Sequence, residues 1–277
     1  MKPTLERTFA GLAALLISTG ASSAADLHPI VEVQSGYFFG AISDGKWIKA
    51  DETAKLIGDE TTYRVYGLTQ ALGDSKGDKP KRAVGPCEET LAVSLSPETE
   101  KGVIAIAAPW NALPRKPQVT DPTQKTYVDA VREFLRTKEI DQPKVKIDNI
   151  LRVDLDGDGE QEVLISATNY FSKDESVPMR SPAASYSMVL LRRVVAGKVE
   201  TQLIVGEFYP KAYPKGAQEE GRFNAPNAYK VIATLDLDGD GKLEVVVNSQ
   251  YYEGEATTIY RCDPKKVEAL LSVSCGA

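Results

Sequence analysis

The carboxylates of this chain are concentrated in two short loops, and those loops carry its clearest chemistry. Residues 154–162 read Asp154-Leu155-Asp156-Gly157-Asp158-Gly159-Glu160-Gln161-Glu162. Residues 236–244 read Asp236-Leu237-Asp238-Gly239-Asp240-Gly241-Lys242-Leu243-Glu244. Carboxylates packed this closely repel, and a folded loop relieves the repulsion by protonating some of them or by recruiting a cation. A donor set made only of oxygen suits a hard cation, Ca²⁺ first. The aspartates at positions 1, 3 and 5 are expected to converge: Asp154, Asp156 and Asp158 in one loop, Asp236, Asp238 and Asp240 in the other. Position 7, Glu160 or Lys242, offers a backbone carbonyl. Position 9, Glu162 or Glu244, completes the set.

An EF-hand needs a bidentate Glu at position 12. Here position 12 is Ile165 or Val247, each inside an apolar run with strand character. A helix-flanked calcium switch is therefore disfavoured. The two loops also sit in matching surroundings. Ile150 to Tyr170 aligns without a gap on Ile232 to Tyr252, and a hairpin pattern follows each copy: 187–208 with a turn at Ala196-Gly197, and 257–273 with a turn at Asp263-Pro264-Lys265-Lys266. Each unit reads as strand, acidic loop, strand, variable loop, strand, turn, strand. Four antiparallel strands per unit are blade-like.

On these residues the chain resembles the FG-GAP and VCBS repeats of integrin-α-like propellers, whose calcium loop runs D-x-D-G-D-G-x-x-D/E. The resemblance covers about 50 residues around each loop. It implies a mainly β fold of antiparallel four-stranded blade-like repeats, either β-propeller-like or an open β fold, with Ca²⁺ as cofactor. Position 9 is Glu where Asp is usual, and two repeats are fewer than the four blades of the smallest closed propeller.

Other reactive groups are few. His28 is the only histidine, which removes most His-based metal sites and makes Ser-His-Asp or Cys-His catalysis improbable. No nucleophile-elbow, P-loop, zincin or Rossmann signature is present. There are three cysteines, Cys87, Cys262 and Cys275. If 262 and 275 flank a hairpin turn, Cys262 faces Val267 and Cys275 lies roughly 26 Å further along, beyond disulfide reach. Cys87–Cys275 is the preferred pair, Cys87–Cys262 the second, and three unpaired thiols the remaining alternative.

The elements that must position the loops can be read more coarsely. An amino-terminal β-rich region, 26–115, begins with a hairpin turning at Asp44-Gly45, then a short helix over 52–57, and strands over 61–68, 89–95 and 103–108. Residues 71–86 read as an exposed loop. Pro109, Pro114, Pro117 and Pro122 mark a linker, and 116–145 holds that linker's end and one amphipathic helix. Tyr127, Val131, Phe134 and Leu135 form the helix's apolar stripe, with Asp121 or Thr123 to cap it. The two repeats fill 146–277.

The chain has 277 residues and a formal charge of −6. The acidic balance and the lack of a basic stripe argue against a nucleic-acid partner. Residues 1–25 read as a secretory signal peptide cut before Asp26, with an apolar run too short to span a bilayer. A periplasmic or secreted protein without a membrane span is expected. Two long loops, 172–185 and 208–229, carry Lys173, Met179, Arg180, Tyr209, Tyr213, Arg222 and Phe223, and the second is the expected contact surface. The functional expectation is a non-enzymatic binding or scaffold module that meets a protein or glycan. A carboxylate-based hydrolase of an extracytoplasmic polymer is the alternative.

Overall fold

The computed structural model describes residues 26–171, 177–212 and 225–276. The expected signal peptide lies outside them, as do Lys173, Tyr213, Arg222 and Phe223.

The chain is mainly β, with three antiparallel sheets of four or more strands and two helices among the described residues. The amino-terminal sheet contains β1 (His28–Glu32), β2 (Phe38–Ser43), β3 (Lys46–Lys49), β4 (Thr61–Tyr66), β5 (Ala71–Gly77), β8 (Leu95–Ser96) and β9 (Ile104–Ile106), in the order β3-β2-β1-β9-β4-β5-β8. The helix α1 (Ala50–Thr53) follows β3, and β6 (Lys81–Arg82) with β7 (Leu91–Ala92) forms a small ribbon. The Asp44-Gly45 turn is as expected: both residues have positive φ, 50° and 70°, which matches the twist of the flanking strands.

Four expectations fail in this half. Residues 71–77 form β5 and are not a loop. Only Ser75 and Gly77 of that strand are buried, so its composition is that of a largely exposed strand. A side chain at Gly77 would collide with the Tyr63 ring. The short helix is displaced to 50–53, and the strand expected over 89–95 is split between β7 and β8. The supposed linker is packed: Ala112 and Leu113 are buried, and β10 (Gln118–Thr120) joins the edge of the next sheet.

The helix α2 (Lys125–Arg136) buries Tyr127, Val131 and Leu135, the expected stripe. Its expected cap is absent. The Asp121 carboxylate accepts from Thr123 instead, closing a turn of its own.

The two repeats form one meander each. The first is β11 (Ile147–Val153), β12 (Glu162–Thr168), β13 (Ser185–Val195) and β14 (Lys198–Tyr209). The second is β15 (Ala228–Leu235), β16 (Glu244–Tyr251), β17 (Gly254–Asp263) and β18 (Lys266–Gly276). The sheets stack in a row. One face of the second repeat packs on the amino-terminal sheet through Leu235, Val246 and Ile259 against Ile30, Ile42 and Tyr66. Its other face packs on the first repeat through Val231, Val245 and Val247 against Leu151, Leu164 and Val189. The far face of the first repeat receives α2. Because both faces are buried, β16 reads Val245-Val246-Val247 without alternation. Among the described residues this is an open stack and not a closed ring, which resolves the two expected architectures.

Cys87 and Cys275 pair at disulfide distance, with Cα atoms 5.4 Å apart. Cys262 faces Val267 across the hairpin, as the turn predicts. It is free, and burial pushes its thiol up to about 12, with the Arg193 charge opposing. We therefore expect Cys262 to alkylate at pH 8 at least roughly a hundredfold slower than an unfolded cysteine. Quantitative labelling should find one thiol after unfolding without reductant and three after reduction. Two or more thiols before reduction would refute the pairing.

Candidate metal centre

Each acidic loop joins the first and second strands of its repeat, so both lie at the same end of the stack. The backbone orients the carboxylates. Asp154 accepts the N–H groups of Gly157 and Gly159 at 2.6 and 3.1 Å, and Asp236 accepts those of Gly239 and Gly241 at 2.8 and 3.2 Å. Glu162 accepts Leu155 N–H at 2.8 Å, and Glu244 accepts Leu237 N–H at 3.0 Å. The two loops are thus superimposable in their hydrogen bonding.

Positions 1, 3 and 9 come together. Asp154, Asp156 and Glu162 each present an oxygen within 4.8 Å of the others, and so do Asp236, Asp238 and Glu244. The position-5 residues stand outside these groups. Asp158 accepts the N–H of Glu160 at 2.8 Å, and Asp240 that of Lys242 at 2.7 Å. The side chains of Glu160 and Lys242 are likewise outside the convergent sets.

Crowding at these sites is visible in the protonation balance. Burial raises the Glu162 carboxyl, and Asp156 adds to the rise while Leu155 N–H and Arg193 oppose it. Asp236 and Asp238 are raised by burial and by their acidic neighbours. Glu244 is pushed up to about 8, by burial first and then by Asp238. Three convergent oxygens per set, with Glu162 buried in the first and Asp236 and Glu244 in the second, fit a hard divalent cation better than a soft one.

Four residues outside the motifs complete the site. Arg115 donates through Nε to Asp154 C=O at 2.6 Å and through Nη2 to Leu155 C=O at 3.3 Å and Gly241 C=O at 2.6 Å. One guanidinium therefore ties both loops, and Leu243 N–H to Leu155 C=O at 2.7 Å ties them again. Trp110 donates to Asp236 C=O at 2.9 Å. Its ring lies under Gly239, where φ is 76° and a Cβ would sit 3.1 Å from the indole, so glycine is needed on both counts.

The other two are arginines at matching places on the third strands. Val163 pairs with Arg192 and Val245 with Tyr260, so Arg193 and Arg261 are equivalents, each next to its loop's position-9 glutamate. Arg261 forms ion pairs with Asp238 and, at 3.8 Å, with Glu244. Arg193 turns away and donates to Cys262 C=O at 2.8 Å. The second acidic set is thus paired more closely than the first, where Arg115 Nε stands 3.9 Å from the Asp154 carboxylate and no arginine among the described residues forms an ion pair with Asp156. Each arginine stands three residues before the first residue of its hairpin turn, Ala196 or Pro264.

The fold and site define a class, an open stack of antiparallel sheets with paired acidic loops at one end. No known protein family, curated protein or solved structure matches the chain.

Proposed function

We propose that the chain is an exported, calcium-stabilised β-repeat protein, similar to FG-GAP/VCBS units, that serves as a binding or scaffold module. The observation that carries this reading is the convergence of positions 1, 3 and 9 in two loops with the same hydrogen bonding. In this reading Ca²⁺ neutralises each set and holds the hairpin end rigid. Asp154, Asp156 and Glu162 hold one ion. Asp236, Asp238 and Glu244 hold the other, after Arg261 swings aside. The first site is therefore the tighter. Cysteine pairing supports an oxidising compartment, and among the described residues no helix is long and apolar enough to cross a membrane.

Calcium that binds only the folded protein stabilises it by mass action, about 2.7 kcal/mol per site at a hundredfold excess over Kd. For a chain of this size that raises Tm by about 5–10 °C. Melts in calcium and in chelator test the reading. Equal melting temperatures in the two buffers would reject it.

A further inference from the structure

A second site lies at the opposite end of the strands. A groove of about 490 Å³ is lined by Lys146, Asp148, Phe171, Tyr229, Lys230 and Asn248, together with Ala228 and Gln250. These residues lie at or just before the starts of β11 and β15, on β16, or, for Phe171, just past the end of β12, whereas the acidic loops follow the ends of β11 and β15. The two sites are separated by a strand length, about 20 Å.

The three charged side chains of this groove, Lys146, Asp148 and Lys230, lack hydrogen-bond and ion-pair partners among the described residues, whereas Asn248 Nδ2 donates to Thr257 Oγ1 at 3.3 Å. Asp148 is the extra residue of a bulge: Ile147 pairs with Ala167 and Asn149 with Ser166. A bulge re-aims the residue it inserts. Among the described residues Asp148 has no hydrogen bond and no ion pair, although Lys146 and Lys230 are near enough to oppose the rise that burial imposes on its carboxyl. Lys146 Nζ lies 5.5 Å from the Phe171 ring centre, and neither lysine is in an ion pair. Charged groups collected in a concavity and left unpaired are characteristic of ligand sites.

The walls are rigid. The free edge of β15 is fastened by side chains of the first repeat: Ser187 accepts Tyr229 N–H at 2.8 Å, Ser166 accepts Val231 N–H at 3.0 Å, and Asn149 donates to Val231 C=O at 3.3 Å. The Glu207 carboxylate then accepts four hydrogen bonds, from Tyr209 Oη, Tyr229 Oη, Asn227 N–H and Asn227 Nδ2, at 2.7 to 3.0 Å. The Tyr229 wall is therefore preorganised, which lowers the entropic cost of binding.

The complement of this lining carries negative charge for two ammonium groups, hydroxyls for a carboxylate and two side-chain amides, and an apolar face for an aromatic ring. We propose that the groove of Lys146, Asp148, Phe171 and Lys230 binds a carboxylate-bearing saccharide, the lysines taking the sugar carboxylate and Asp148 its hydroxyls. This deepens the binding-module reading by naming a ligand class, but it does not rest on cations at the acidic loops.

The test is a titration of the full protein, followed by calorimetry and by NMR shifts, with three acidic probes: glucuronate, digalacturonate and sialyllactose. Glucose, digalactose and lactose serve as neutral counterparts, and glycine as a zwitterionic control. Saturable binding of at least one acidic probe is expected, about tenfold or more tighter than its neutral counterpart. Lys146→Ala with Lys230→Ala should remove that preference while leaving the melt unchanged. Asp148→Asn should weaken the acidic sugar, with a folded spectrum as control. Absence of saturable binding by all three acidic probes, stronger binding of glycine, or affinity unchanged in the lysine double variant would each overturn the proposal. Calcium-dependent melting is recorded on the same samples, so a failure here is separable from a failure of the calcium reading.

Discussion

Replacing Cys87 and Cys275 together with serine is expected to cost about 4 kcal/mol, in the upper part of the usual range for a native disulfide. The bond closes a loop with a sequence separation of 188 residues. A cross-link over so long a span removes much conformational entropy from the unfolded chain. It also ties the last strand, β18, back to the amino-terminal half, beside the contact in which Thr90 Oγ1 donates to Ser274 C=O at 3.0 Å. At about 2–4 °C per kcal/mol, the melting temperature should fall by roughly 8–16 °C. Reduction of the unmutated protein should reproduce the drop. A fall of less than 2 °C in both would mean that the pair does not constrain the chain.

The second large effect is expected at Arg115. Truncation to alanine removes the donors of three backbone carbonyls, those of Asp154, Leu155 and Gly241. The side chain is 26% exposed, so water satisfies part of the loss. We expect destabilisation of about 2 kcal/mol, near the cost of a lost charge-assisted hydrogen bond with one acceptor left poorly solvated. Arg115→Lys keeps the charge but cannot fork between two loops, and should recover less than half of the loss. Denaturant unfolding of the three proteins measures this. Full recovery by lysine would show that charge and not geometry matters here.

The features readable in the sequence were those carried by short-range pattern. The Asp-Gly loops, the offset repeat and the Asp44-Gly45 hairpin are local rules of charge and backbone conformation. The Cys262–Val267 register follows from strand geometry alone, and it led to the right cysteine pair. The parts that escaped depend on tertiary context. β5 carries lysine, aspartate and glycine because it presents one narrow inward face, so it reads as a loop. Trp110 and Arg115 sit among prolines that signal a linker, yet this segment is the wedge that fastens both loops: Tyr66 Oη accepts Ala112 N–H at 3.0 Å, and Ala112 C=O accepts Asp236 N–H at 2.8 Å. Arg193 and Arg261 occupy equivalent positions, but sequence spacing does not show that one is paired inside its acidic set and the other turned away. The groove at the far end is invisible to motif reading, because its residues come from two repeats and a bulge.

Paired acidic sets with unequal counter-ions make a quantitative expectation for metal binding. The central claim is that each loop holds one divalent cation through positions 1, 3 and 9. The most direct measurement is calorimetric calcium titration of the chelated protein, alone and as Asp156→Ala with Asp238→Ala. The account predicts two sites in the unmutated protein, the weaker one by about tenfold because its cation must displace Arg261, and no sites in the double variant. A folded protein that takes up no calcium, or a double variant that binds it as well as the parent, would contradict the account.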